Sequence, residues 1–140
     1  MSASHPTILK VGYLTKEGEI RKSWKNRWCT LDSNGEFKYH KSAEARKCIK
    51  HFNVIGITIQ VCLFEEKKRI ACWKMDTPNR VWFFASLSEK SMYEWLATFS
   101  KLGATVVCKR DCQKNIKQTN NEQLLLNSNF KPPIIIKNYA

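Results

Sequence analysis

The hydrophobic pattern of this chain changes period once, and that change limits what it can fold into. Ile57, Ile59, Val61 and Leu63 alternate with Thr58, Gln60 and Cys62. Alternation of period two marks a strand with one buried face. Beyond Ser86, Met92, Trp95, Leu96, Phe99 and Leu102 recur at three and four residues and make one apolar stripe along a helix. Shorter strand signals surround the alternating segment, at Val11–Lys16, Trp24–Leu31, Glu36–His40, Cys48–Phe52, Arg69–Asp76 and Arg80–Ala85. They are punctuated by Glu17-Gly18-Glu19, by Asp32-Ser33-Asn34-Gly35, by a polar loop over Lys41–Lys47, by a charged turn over Glu65–Lys68 and by Thr77-Pro78-Asn79. Asn-Gly accepts positive φ and is a strong hairpin signal. Ser86 with Glu89 fits a capping box, Ser88 competes with it as N-cap, and Gly103 stands where a helix C-terminal cap belongs. The expectation is seven short strands and then one amphipathic helix that covers the apolar face of the sheet.

That plan accounts for residues 8–102. Residues 103–140 are basic and Asn-rich, with short apolar runs at Leu124–Leu126 and Ile134–Ile136. They are expected to be a largely disordered tail, with one segment folding back or meeting a protein partner. No apolar run approaches the roughly 20 residues that span a bilayer. Met1–Pro6 lacks the charged-then-apolar pattern of a secretory leader, so a cytoplasmic location is expected. Cys29, Cys48, Cys62 and Cys72 sit in apolar or strand-like runs, where cysteine acts as a small buried hydrophobe. Cys108 and Cys112 are close, but no histidine follows at zinc-finger spacing, and His5, His40 and His51 do not cluster. No metal and no cofactor is expected. There is no histidine–nucleophile pairing and no Gly-rich phosphate loop, so the chain does not read as an enzyme.

The net charge is +12, which calls for an anionic partner without choosing one. Strand parity narrows the choice. Lys25, Arg27, Cys29 and Leu31 share a face of the second strand, and Cys29 and Leu31 turn that face inward. Leu14 and Lys16 share a face of the first strand. In an antiparallel hairpin the end of one strand meets the start of the next, so Lys16, Lys25 and Arg27 converge at one mouth. Tyr39, on the face of Phe37, reaches toward the same place. Like charges on neighbouring strands cost roughly 0.2–1 kcal/mol per pair, so three at one mouth suit a bound anion better than a merely solvated hairpin. The five tryptophans invite base stacking, but packing accounts for them better, and no nucleic-acid partner is expected.

Gly12-Tyr13-Leu14-Thr15-Lys16, then Lys22-Ser23-Trp24-Lys25-Asn26-Arg27-Trp28-Cys29-Thr30-Leu31, then Phe37-Lys38-Tyr39, resembles the opening of a pleckstrin homology (PH) domain. Phe83-Phe84-Ala85, followed by a helix bearing Trp95, resembles its close. The resemblance implies a mainly β fold: a seven-stranded, partly open barrel of two packed antiparallel sheets, capped by one C-terminal α-helix. It also implies a non-enzymatic module that binds a phosphoinositide headgroup and associates reversibly with a membrane. The alternative within the fold is a protein–protein interaction module without specific lipid binding. Lys16 and Lys25-Asn26-Arg27-Trp28-Cys29 match the family's phosphoinositide pattern, Tyr39 matches a third-strand tyrosine, and Lys47 matches a basic residue after the third strand. Arg21 and Lys22 are supporting membrane contacts. Ile20 fits either a tip that dips into the membrane or a side chain closing the barrel end. Arg46, Lys47 and Lys50 form either an outer basic rim or a solvated loop. Glu17 and Glu19 in the first loop oppose an anionic surface. The headgroup stays open among phosphatidylinositol trisphosphate, its bisphosphates and phosphatidylserine.

Overall fold

The computed structural model describes residues 5–108, 114–120 and 135–138. Strands β1 (Ile8–Glu17), β2 (Trp24–Asp32), β3 (Glu36–His40) and β4 (Cys48–Asn53) form an antiparallel meander. The β2–β3 turn forms because Asp32 Oδ1 accepts from the backbone N–H of Asn34 and Glu36, while Gly35 takes φ +84°. β5 (Thr58–Val61), β6 (Cys72–Asp76) and β7 (Val81–Ala85) make a second antiparallel set, with the short helix α1 (Phe64–Lys67) between β5 and β6. The two sets join through only two register pairs, Thr15 with Ala85 and Lys16 with Phe84. The sheet curls at this junction, because side chains far apart in strand order meet: Phe37 lies 5.2 Å from Phe84, and Phe52 stacks on Trp82 at 5.1 Å.

One end of the curled sheet is closed by α2 (Glu89–Lys101). Its buried face, which includes Met92, Trp95, Leu96 and Phe99, meets Phe37 and Trp73 from the strands. Each large apolar side chain buried this way contributes roughly 1.5–3 kcal/mol. Ser88 is the N-cap, with its Oγ accepting from Ser91 N–H at 3.1 Å. Ser86 instead donates to the Ser88 carbonyl at 2.7 Å, so the Ser88 alternative holds. At the other end Gly103 takes φ +96°, Gly103 N–H reaches the Ser100 carbonyl and Ala104 N–H the Phe99 carbonyl. This pair of bonds is a Schellman motif.

Three features differ from the sequence expectation. The charged turn is a helical turn over Phe64–Lys67, ended by Lys68 in the left-handed region. β6 starts at Cys72 rather than Arg69, because Ala71 also takes positive φ (53°) and breaks the extended run. The chain after Gly103, expected to be largely disordered, instead begins with β8 (Thr105–Cys108), which pairs in parallel with β5 and buries Val106 and Cys108. A helical stretch over residues 114–120 follows, with Ile116 fully buried. β9 (Ile135–Asn138) then pairs in parallel with β8. The apolar run at Leu124–Leu126 lies outside the described residues. Among the described residues no helix is long and apolar enough to cross a membrane.

Candidate functional site

The end of the barrel away from α2 is lined with cations. In the β1–β2 hairpin Lys16 stands opposite Lys25 and Leu14 opposite Arg27. Leu14, Cys29 and Leu31 are buried on that face, so alternation carries Lys16, Lys25 and Arg27 to the inward side at the rim. β3 pairs Tyr39 with Cys29 and brings the tyrosine beneath them. These side chains surround a cavity of about 250 Å³, lined by Lys16, Gly18, Arg21, Ser23, Lys25, Arg27, Tyr39 and Ile49. Among the described residues the lining holds four cations and no carboxylate. Among the described residues none of the four lies within ion-pair distance of an acid. Among the described residues Lys16 Nζ donates to the Glu17 carbonyl at 3.3 Å, and Arg27 Nη1 to the Asn26 carbonyl at 3.0 Å.

Lys16 carries the electrostatic strain of this arrangement. Partial burial, then the nearby charges of Arg80, Arg27 and Lys25, lower its pKa from 10.5 to about 8, while Glu19 acts the other way. Two ring faces soften the strain: Lys16 Nζ lies 5.2 Å from the Tyr39 centroid and 5.4 Å from that of Trp82. Burial pushes the Tyr39 hydroxyl up to about 12 despite the pull of Arg80 and Arg27. Tyr39 is therefore a neutral donor at physiological pH, suited to a phosphate oxygen.

Glu17, the last residue of β1, and Glu19, in the loop after it, are each engaged by a cation that does not line the cavity. Glu17 points to the outer face, where its carboxylate accepts from Lys67 Nζ at 2.9 Å. Glu19 lies 3.5 Å from Arg80 Nε. Arg80 was not legible as a site residue. It follows the Thr77-Pro78-Asn79 turn, stacks over Trp82 at 3.7 Å and is the strongest charge acting on Lys16. It does not line the cavity, but its charge acts on Lys16 because β7 closes onto β1. Gly18, Ser23 and Ile49 are further lining residues that parity did not identify. Of the supporting residues, Arg21 lines the cavity, Lys22 is exposed, and Ile20 is 92% exposed rather than closing the barrel. Lys47 is exposed on the loop before β4 and does not line the cavity. Arg46 and Lys50 are exposed as well. Trp73, Trp82 and Trp95 are buried in the core, which removes three of the five rings from any base-stacking role.

The PH domain family model matches residues 8–104. A RAC family serine/threonine-protein kinase homolog of Dictyostelium discoideum is 33% identical over 87 residues, covering 61% of this chain and 19% of that protein. The mouse dual adapter for phosphotyrosine and 3-phosphotyrosine and 3-phosphoinositide is 31% identical over 87 residues, covering 62% of this chain and 30% of the adapter. The chain thus spans less than a third of the length of either relative. Among solved structures, the C-terminal PH domain of pleckstrin in complex with D-myo-Ins(1,2,3,4,5)P5 superposes with TM-score 0.60 at 22% identity, covering 69% of this chain and 99% of that one. The PH domain of human pleckstrin homology domain-containing protein family A member 5 gives TM-score 0.61 at 20% identity, covering 73% and 81%. With the family match running from the start of β1 to the helix cap, this chain belongs to the PH domain family.

Proposed function

We propose that the cavity at the barrel mouth binds the phosphorylated headgroup of a phosphoinositide and so holds the chain reversibly at an anionic membrane. PH domains are binding modules rather than catalysts, and no step of chemistry is assigned to the site. One observation carries the proposal: four cations without an ion-pair partner among the described residues share one cavity, and burial, then the charges of Arg80, Arg27 and Lys25, depress Lys16. A bound phosphate relieves that strain with charge-assisted hydrogen bonds, each roughly twice as strong as a neutral one. Arg27 clamps two oxygens through its planar fork, Lys16 and Lys25 act as point charges, and Tyr39 donates its hydroxyl. Arg21 completes the ring of charge, and Arg80, held by Glu19, adds to the field on Lys16 from outside the cavity. Ile20 and Lys22 contact the membrane beside it, and Lys47 contributes only at the rim. The pleckstrin complex with an inositol pentakisphosphate and the 3-phosphoinositide adapter among the relatives support the same ligand chemistry. The binding module is taken to run from Ile8 through Cys108, because β8 completes the edge beside β5.

A vesicle panel that varies the headgroup at constant membrane charge tests the proposal. The expected result is selective binding to phosphoinositide vesicles that Arg27→Ala reduces by about 10- to 100-fold, the range for losing hydrogen bonds from a charged donor. Equal binding to every vesicle of the same charge, or an Arg27→Ala variant that binds like the parent, contradicts it and leaves a protein-interaction module.

A further inference from the structure

A second feature of the outer surface has no part in the cavity. Leu87 is 88% exposed, Ile70 60% and Phe64 52%. The three line one groove of about 360 Å³ with Lys68 and Arg69 beside them. Clustered exposure of large apolar side chains marks a contact surface rather than chance. Among the described residues the lining holds two cations and no carboxylate. α1 does carry Glu65 and Glu66, but Glu66 faces Lys74 at 3.8 Å.

The position of the groove identifies what it meets. Arg69 stacks on Trp24 at 4.5 Å, and Trp24 is the first residue of β2, directly opposite Glu17. Lys67 Nζ holds the Glu17 carboxylate on that same outward side and lies 4.0 Å over the Phe83 ring. Trp24 and Phe83 in turn pack on the small buried cluster of Cys62, Cys72 and Ala85. The segment between β5 and β6 therefore lies against one face of the β1–β2 hairpin base, while Lys16 and Lys25, the next residues along, line the cavity on the other face. The hairpin tip between the two sites presents Ile20, Arg21 and Lys22, all exposed.

We propose that this groove is a second membrane-contact surface, in which Phe64, Ile70 and Leu87 enter the interfacial layer of an anionic bilayer while a headgroup occupies the cavity across the hairpin. The assignment rests on the membrane reading of the cavity. The groove adjoins the hairpin that carries that site, because its lining residue Arg69 stacks on Trp24 at the hairpin base. Its chemistry, apolar side chains beside Lys68 and Arg69, is that of surfaces seated at the boundary of headgroups and acyl chains. A bilayer is also broad enough to meet the cavity, the hairpin tip and the groove together.

Two full-length double variants test this, Ile70→Asp with Leu87→Asp and Ile70→Ser with Leu87→Ser. Both positions are mostly exposed, so folding is retained. Each variant is measured for sedimentation with phosphatidylcholine vesicles containing a fixed fraction of phosphatidylserine, with and without phosphoinositide. Binding of a soluble inositol polyphosphate is measured in parallel by calorimetry. The expected result is unchanged soluble binding, with partition onto both vesicle types reduced about tenfold by the loss of two inserting side chains. Partition equal to the parent overturns the proposal. So does a loss confined to the aspartate pair, which would report new repulsion only. Retained vesicle partition with lost binding to a protein would also overturn it and make the groove a protein-docking site. If the parent chain does not bind the soluble ligand, the cavity reading fails by itself, and the vesicles without phosphoinositide still decide the groove.

Discussion

The two ends of this barrel are built on opposite rules. At the α2 end, Phe37, Trp73, Trp95 and Phe99 interlock with centroids about 6 Å apart, and the Schellman cap bonds the carbonyls that the helix leaves over. At the mouth, four cations share a cavity without an acid to pair them, and one is pushed toward its neutral form. The capped end spends its residues on stability. The mouth keeps an arrangement that lowers stability until an anion arrives, as functional sites commonly do. The contrast predicts that substitutions at one end change folding and leave recognition intact, and that those at the other do the reverse.

The largest effect expected from breaking the capped end is that of Trp95→Ala. Trp95 is buried against Phe37 and Phe99, and Lys10 Nζ lies over its ring at 5.2 Å. Its truncation is expected to cost about 3–5 kcal/mol of stability by chemical denaturation. The fraction still folded should bind inositol polyphosphate with parental affinity.

Lys16→Met probes the mouth in the opposite sense. Anion binding should fall by at least about tenfold with the loss of a charged donor. The ligand-free domain should become more stable at pH 7. The pKa of Lys16 is about 8 in the folded chain and 10.5 otherwise, so the unfolded chain holds this proton more tightly. The resulting penalty on folding is complete below about pH 8 and fades as the pH rises toward 10.5. Thermal midpoints of parent and variant should therefore differ at pH 7 and converge above pH 10. A variant less stable than the parent at pH 7 would mean that Lys16 supports the fold rather than straining it.

A smaller effect is expected at the rim. Glu19 holds Arg80 through a partly exposed ion pair at 3.5 Å. Exposed pairs are worth about 0.2–1 kcal/mol, so Glu19→Gln should free Arg80 and tighten anion binding by about two- to fivefold, read by calorimetric titration. Weaker binding would show that Glu19 positions Arg80 for the ligand instead of competing with it.

What could be read from the sequence follows the range of the interactions involved. Lys16, Lys25, Arg27 and Tyr39 were placed by alternation within strands and by two short turns, and both are local. Arg80 was not, because its charge comes to bear on Lys16 through the two-residue junction of β1 with β7, which no local pattern announces. Lys47 matched by analogy. Between Tyr39 and His40, however, the β3–β4 register shifts, and the side chain that reaches the cavity after that loop is Ile49. β8 is hidden in the sequence for the same reason as Arg80: its pairing with β5 is parallel and spans α2, and four residues carry little periodic signal. The helix, by contrast, was legible up to its choice of N-cap: its apolar stripe and Gly103 act within one turn of their own positions, while Ser86 and Ser88 both fit the local pattern and Ser88 is the one that caps it.

If the mouth is a cation cluster waiting for a phosphate, titrating the chain with a soluble inositol polyphosphate from pH 6.5 to 9.5, in buffers of different ionisation enthalpy, should show it. An anion beside Lys16 raises its pKa, so binding should take up protons around pH 8, weaken above that pH, and lose this linkage in Lys16→Met. Binding with no proton uptake near pH 8, or with the same uptake in Lys16→Met, would contradict the account.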